Sequence, residues 1–206
     1  DRWRNAVGLT FDDGPDPDTT PTVLDVLAEH GARATFFCIG ARAERHPELV
    51  ARIADEGHRV ENHTYDHPNG FYFFGPRRMT REIQRAQETL RNAAGTSPAL
   101  FRAPAGIRNP WLQVVLDRLG LDLVSWTRRA FDTVSADPAR VLRRLADGLR
   151  AREILLLHDG SCARDGDGRA VVSRVLPDLL ARLEGAGLRA VALPRPDRLG
   201  TPDVGP

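Results

Sequence analysis

Seven short apolar runs alternate with six stretches framed by helix-capping residues, and that order constrains the fold of the 206-residue chain more than any other feature. The first run, Ala6-Val7-Gly8-Leu9, reads as a strand. Thr20-Pro21 then opens a helix that reaches His30-Gly31. A small polar cap with proline at the first helical position starts a helix, and a glycine past the end stops it. The same reading predicts strand 33–39 and a helix from Pro47 to Glu56, stopped by Gly57. Strand 58–62 leads, after a long loop, to helix 80–94, stopped by Gly95. Strand 99–102 precedes a helix between Asn109-Pro110 and Gly120, and strand 121–126 precedes one opened by Asp137-Pro138. The run Ile154-Leu155-Leu156-Leu157, a helix over about 169–185 and a strand near 188–193 close the series.

Strands alternating with helices argue for parallel βα units, and near-continuous apolar strands suit a sheet covered on both faces. A closed barrel and a doubly wound open sheet both satisfy the pattern. The length fits one domain with a full core. We expect that domain to span 1–193, with a Pro-, Gly- and Asp-rich tail at 194–206 that is poorly ordered.

Composition excludes some partners. The formal net charge is +1, so nothing draws the chain as a whole to nucleic acid or anionic lipid, and all 29 basic residues are arginine. No apolar run approaches the roughly 20 residues that cross a bilayer. The chain carries no signal-peptide pattern and opens almost directly on a strand, as a mature or trimmed domain would. Cys38, inside Ala34-Thr35-Phe36-Phe37-Cys38-Ile39, reads as a buried free thiol. Neither it nor Cys162 belongs to a Cys-x-x-Cys pair, which argues against a thiolate metal site.

Chemistry-bearing residues gather where the strands end, which in a parallel barrel is the functional face. Thr10-Phe11-Asp12-Asp13-Gly14-Pro15 follows the first strand. Adjacent side chains on an extended backbone point to opposite faces. Asp12 and Asp13 are therefore expected to divide two tasks, one holding a cation and the other handling a proton. Glu61-Asn62-His63-Thr64-Tyr65-Asp66-His67 follows the third strand. His63 and His67, spaced by one helical turn, present two imidazoles on one side. With a carboxylate from another strand end they form a two-histidine, one-carboxylate set, the ligand count of a catalytic metal site with open positions. Asp66, between them, reads as a turn or surface charge. The fourth strand ends in Phe101-Arg102-Ala103-Pro104-Ala105-Gly106, the fifth leads through Trp126 to Asp132, and the sixth ends in His158-Asp159.

In these motifs and their order the chain resembles the polysaccharide deacetylase (NodB-like) family, over nearly its whole length. The resemblance implies a distorted parallel (β/α) barrel of about seven strands and the hydrolytic removal of acetyl groups from a glycan, N-acetyl ahead of O-acetyl. It implies one divalent metal ion, zinc with cobalt or nickel as alternatives, on Asp13, His63 and His67. Asp12 resembles the base that deprotonates the attacking water, and Arg102 the arginine that pairs with this base. His158 resembles the acid that protonates the leaving group, and Asp132 the aspartate that orients it. Leu156 is similar to the leucine lining the acetyl pocket, and the backbone N–H of Ala105 to an oxyanion donor. Trp126 joins them as a substrate contact.

Two positions depart from the family. Ala105 stands where an aromatic residue is usual and Thr133 where a tryptophan is, and both aromatics line the substrate groove in relatives. The loop Pro68-Asn69-Gly70-Phe71-Tyr72-Phe73-Phe74-Gly75-Pro76 offers a replacement. Two of its four aromatics are expected to pack inward, leaving Tyr72 and Phe73 for a sugar or a lipid carrier. The partners so implied are an acetylated glycan or, alternatively, a lipid-linked aminosugar whose acyl group is removed, with no nucleic acid. A monomer outside the cell or in its envelope is the expected setting. A catalytically inactive carbohydrate-binding module is the reading from another class. No Gly-x-Gly-x-x-Gly follows the first strand, against a doubly wound nucleotide-binding protein.

Overall fold

The computed structural model describes residues 3–195. The expectation for the tail therefore falls, from residue 196 on, outside the described residues. Eight parallel strands and seven α-helices are present among them: β1 (Ala6–Asp12), α1 (Thr20–Glu29), β2 (Thr35–Cys38), α2 (Gly40–Arg45), α3 (Pro47–Asp55), β3 (Arg59–Asn62), α4 (Pro76–Ala94), β4 (Leu100–Phe101), α5 (Pro110–Leu119), β5 (Asp122–Leu123), β6 (Arg128–Arg129), α6 (Pro138–Ala146), β7 (Ile154–His158), α7 (Val171–Gly185) and β8 (Arg189–Val191). Hydrogen bonding orders the strands β5-β4-β3-β2-β1-β7-β6, with β8 paired to the first residues of β1. Read as a circle, this is the chain order from β1 to β7, broken only between β5 and β6. The fold is thus the distorted barrel, and the doubly wound alternative is excluded.

Several elements differ from the sequence reading. Strand 121–126 shrinks to two residues, and a separate short strand, β6, follows it. The backbone between them bends inward, so that the Val124 and Ser125 carbonyls accept from Arg102 at 3.5 and 3.3 Å. Helix α2 also escaped prediction, because Gly-Ala-Arg-Ala-Glu-Arg has neither an apolar stripe nor a capping side chain. Helix α4 starts at Pro76 rather than near 80, with that proline at the first turn. Asn109 and Asp137 do cap α5 and α6, each accepting from two backbone N–H groups.

Alternation along β1 separates two interiors. Val7, Leu9 and Phe11 pack outward with Phe36 of β2 and the apolar faces of α1 and α7 into the main core. Thr10 and Asp12 face the barrel axis, where Phe37, Leu100 and Leu193 fill the lower part. Above that plug the axis turns polar. Arg102 is fully buried there, its guanidinium 4.1 Å from the Phe37 ring centre. Cys38 is buried as a free thiol, as expected, and Cys162 is also unpaired.

Candidate active site

The site begins where β1 stops being a strand. Asp12 ends the extended run and Asp13 adopts a left-handed backbone, φ +73°. That turn cancels the strand alternation, so both carboxylates line one cleft, against the expectation of opposite faces. Their partners still differ. Arg102 donates from Nη1 to Asp12 Oδ1 at 2.6 Å and to Thr10 Oγ1 at 2.8 Å. Asp13 Oδ1 instead stands 3.4 Å from both His63 Nε2 and His67 Nε2.

The histidine pair is not on a helix. A loop leaving β3 brings the rings together, with Thr64 and His67 at φ +66° and +50°. Asn62 holds that loop. Its Oδ1 accepts from Thr64 N at 2.9 Å, while its Nδ2 donates to the Ile83 carbonyl and to Gln87 of α4. His63 Nδ1 bonds the Arg102 carbonyl at 2.8 Å, which leaves Nε2 for the cleft. Asp66 is exposed, as expected of a surface charge.

One ligand atom each from Asp13, His63 and His67 lie within 4.8 Å of one another. Asp13 Oδ1 is buried without a hydrogen-bond donor. A buried, unpartnered carboxylate oxygen between two imidazole nitrogens fits a divalent cation, and three protein ligands are the number that leaves coordination positions open. Burial alone would raise the Asp13 pKa, but His63, His67 and His158 together hold it below the usual carboxylate range.

Across the cleft, Asp132 grips His158 twice. Its Oδ2 accepts from the His158 backbone N–H at 2.8 Å and its Oδ1 bonds ring Nδ1 at 2.7 Å. Asp132 is wholly buried and the ring nearly so, leaving Nε2 as the nitrogen toward solvent and substrate. Burial lowers the His158 pKa, but the bond and charge of Asp132, with Asp12 and Asp13 behind, raise it overall.

The cleft measures about 340 Å³, and Leu156, Trp126, Ala105, Gly106, Arg129, Thr133, Ser161 and Asn69 complete its lining. Leu156 precedes His158 by one pleat on the same strand face. Trp126 covers Gly106 so closely that a Cβ there would lie 2.4 Å from the indole. Tyr72 and Phe73 are not among the lining residues; their rings meet at a tilt, 4.2 Å between centres, and Phe73 is 80% exposed. Phe71 and Phe74 are buried, the expected inward pair.

Three supports were not foreseen. Arg42 of α2 donates to the Asp13 carbonyl at 2.9 Å and to Ser161 Oγ at 3.1 Å, joining two loops of the rim. Asp159 is fully buried beneath Gly14, accepts from Thr20 Oγ1 at 2.6 Å, and is pushed by burial up to about 7. Arg129 enters from β6, whose two residues, with Thr127 before them, show no apolar run. Only its place three residues after Trp126 hinted at the cleft.

Comparison with known proteins agrees with this geometry. A family model described as polysaccharide deacetylase matches residues 2–124, more than half of the chain. A chitooligosaccharide deacetylase of a Bradyrhizobium strain is 37% identical over 201 residues, covering 92% of this chain and 90% of its own. A peptidoglycan-N-acetylglucosamine deacetylase of Bacillus cereus is 32% identical over 189 residues, covering 91% and 85%. Among solved structures, a family 4 carbohydrate esterase from Streptomyces lividans in complex with acetate superposes with a TM-score of 0.82. It is 34% identical, and the match spans 91% of this chain and 92% of that one.

Proposed function

The chain belongs to the polysaccharide deacetylase family, and we propose that it hydrolyses N-acetyl groups on a glycan with Asp12 as base and His158 as acid. One observation carries the reading. A two-histidine, one-carboxylate cluster shares a cleft with an Arg-paired carboxylate and an Asp-anchored imidazole.

Asp13, His63 and His67 are the residues that would hold a divalent ion. Their nitrogen and oxygen donors suit zinc, with cobalt and nickel next. Such an ion supplies Lewis-acid activation of water and of the acyl carbonyl. The acetyl methyl group lies against Leu156, and the ring of the sugar against Trp126. Asp12 takes the proton of the attacking water. Arg102 fixes that carboxylate through Oδ1, leaving Oδ2 for the proton. Ala105, at φ +55° on the cleft wall, offers its N–H to the oxyanion that develops. His158, whose pKa Asp132 raises and whose ring Asp132 holds at Nδ1, delivers a proton from Nε2 to the departing amine. Without it the leaving group would be an amide anion, so this proton transfer decides the rate on N-acetyl substrates. Tyr72 and Phe73 extend the sugar-binding surface outside the cleft.

The test is acetate release from N-acetylglucosamine oligomers, with the protein stripped of metal and then reloaded with zinc, cobalt or nickel. Activity that returns with metal and is absent in His63→Ala supports the assignment. Full activity in the stripped protein would refute it.

A further inference from the structure

Arg129 is the only arginine among the residues lining the cleft. In the β6–β7 register it sits opposite Leu156. Residues paired across neighbouring strands share a face, so Arg129 emerges beside the leucine assigned to the acetyl group. Arg128, its neighbour, turns to the other side and is consumed by Glu153 and the carbonyls of Asp147 and Gly148. Arg129 has no such partners. Its Nε is buried without a hydrogen bond, and it forms no ion pair among the described residues.

Only aromatic rings hold the guanidinium. Trp126 and Phe131 lie 5.7 and 4.9 Å from it, and Arg144 approaches Phe131 at 5.0 Å. Contacts of this kind use the ring faces and leave the N–H donors of the planar group without acceptors. The other charges of the cleft are already matched. Asp12 pairs with Arg102, Asp13 belongs to the candidate metal cluster with His63 and His67, and Asp132 pairs with His158. One full positive charge therefore faces the substrate with nothing of its own to bind.

Building on the deacetylase reading, we propose that Arg129 binds a carboxylate carried by the glycan near the reacting N-acetyl group, so that an acidic glycan is preferred to a neutral one. The guanidinium fork matches a carboxylate with two parallel hydrogen bonds. Two sugar chemistries supply that group, an ether-linked lactate on an amino sugar and a uronic acid, and separate assays distinguish them.

The experiment compares acetate release from three sets of oligosaccharides: neutral N-acetylglucosamine oligomers, oligomers alternating N-acetylglucosamine with its 3-O-lactyl derivative, and oligomers alternating it with a uronic acid. Each acidic oligomer is also tested after reduction of its carboxylate to the alcohol. One acidic set should exceed its reduced form in kcat/KM by on the order of tenfold, the difference residing in KM. In Arg129→Met, which keeps an apolar stem between the rings, that ratio should fall toward one. Arg129→Lys should retain part of it, and salt should weaken it. Equal kcat/KM for acidic and reduced forms in the native protein, or a ratio that survives in Arg129→Met and Arg129→Gln, would overturn the inference alone. No acetate from any glycan would overturn the deacetylase reading and this inference with it.

Discussion

Asp132→Asn tests the acid half of the site with the least disturbance of volume. The carboxylate accepts two hydrogen bonds from one residue, the His158 backbone N–H and ring Nδ1. An amide accepts with its oxygen only, so its NH₂ must face one of those donors. A misfit of this kind in a buried site costs about 1–3 kcal/mol of stability. The ring loses more. The charge-assisted bond to Nδ1 is worth roughly 1.5–3 kcal/mol, and its loss lowers the His158 pKa.

The sign is fixed by direction. Asp132 raises the His158 pKa in the folded protein. The pair's contribution to stability is therefore complete below about 6.5, the ordinary histidine value, and is lost as pH rises through the elevated folded value. The variant should lose more stability near pH 5 than near pH 9. The alkaline limb of kcat/KM should move to lower pH, and kcat on an N-acetyl substrate should drop by about two to four orders of magnitude. An aryl acetate, whose leaving group needs no proton, should suffer less. Metal content should not change, because Asp132 is not in the ligand cluster. The assays are acetate release from pH 5 to 9 and urea unfolding at both ends of that range. An unmoved alkaline limb, or equal losses on amide and aryl ester, would refute the reasoning.

Three more perturbations separate other parts of the site and fold. Asp13→Ala should lose metal and activity together, whereas Asp12→Asn should keep metal and lose about two to four orders of magnitude in kcat; metal analysis of both purified variants checks this. His58 is buried, its Nδ1 accepts from Ala34 N at 3.2 Å, and burial first, then Arg33, lower its pKa to about 4. Its neutral form thus stabilises the fold above about 6.5, and about 2–3 kcal/mol should be lost as pH falls from there to about 4; urea titrations of native protein and His58→Gln should show a weaker pH slope in the variant. Tyr72→Ser and Phe73→Ser should each cost roughly fivefold in kcat/KM on long glycans, for an aromatic contact of about 1 kcal/mol, and less on a disaccharide; equal kinetics on both would make the pair a surface feature only.

The parts of this molecule that announce themselves in sequence are those governed by local rules. Asn109-Pro110 and Asp137-Pro138 cap the helices they mark because capping needs only neighbouring residues. The apolar run at 154–157 becomes β7 because a strand covered on both faces needs apolar residues throughout. What escaped depends on distant partners. The inward bend at Val124–Ser125 exists because Arg102 supplies donors there, and nothing near residue 124 in the chain says so. The two-residue strand β6 is paired by register with β7 and has no pattern of its own. In the site, residue types and strand-end positions located the Asp13, His63 and His67 cluster that could hold a metal, but the helical-turn argument for His63 and His67 failed. Positive φ at Thr64 and His67 depends on Asn62 and its bonds to α4, which are tertiary.

The break between β5 and β6 gives Arg102 a second office. Elsewhere around the barrel neighbouring strands are held by main-chain bonds, and here Arg102 ties the connecting segment, through the Val124 and Ser125 carbonyls, to Thr10 and Asp12 of β1. A seam of this kind is where a barrel breathes, since the free energy of a local opening follows the number of bonds that must part. Each such excursion pulls on the guanidinium that also fixes Asp12. Asp12, the base proposed here, thus acts as a gauge of the seam: its position is set only while the barrel is shut. Catalytic competence and barrel closure are in this way one equilibrium. Heat or denaturant that loosens residues 124–128 would silence the chemistry while the rest of the sheet still stands.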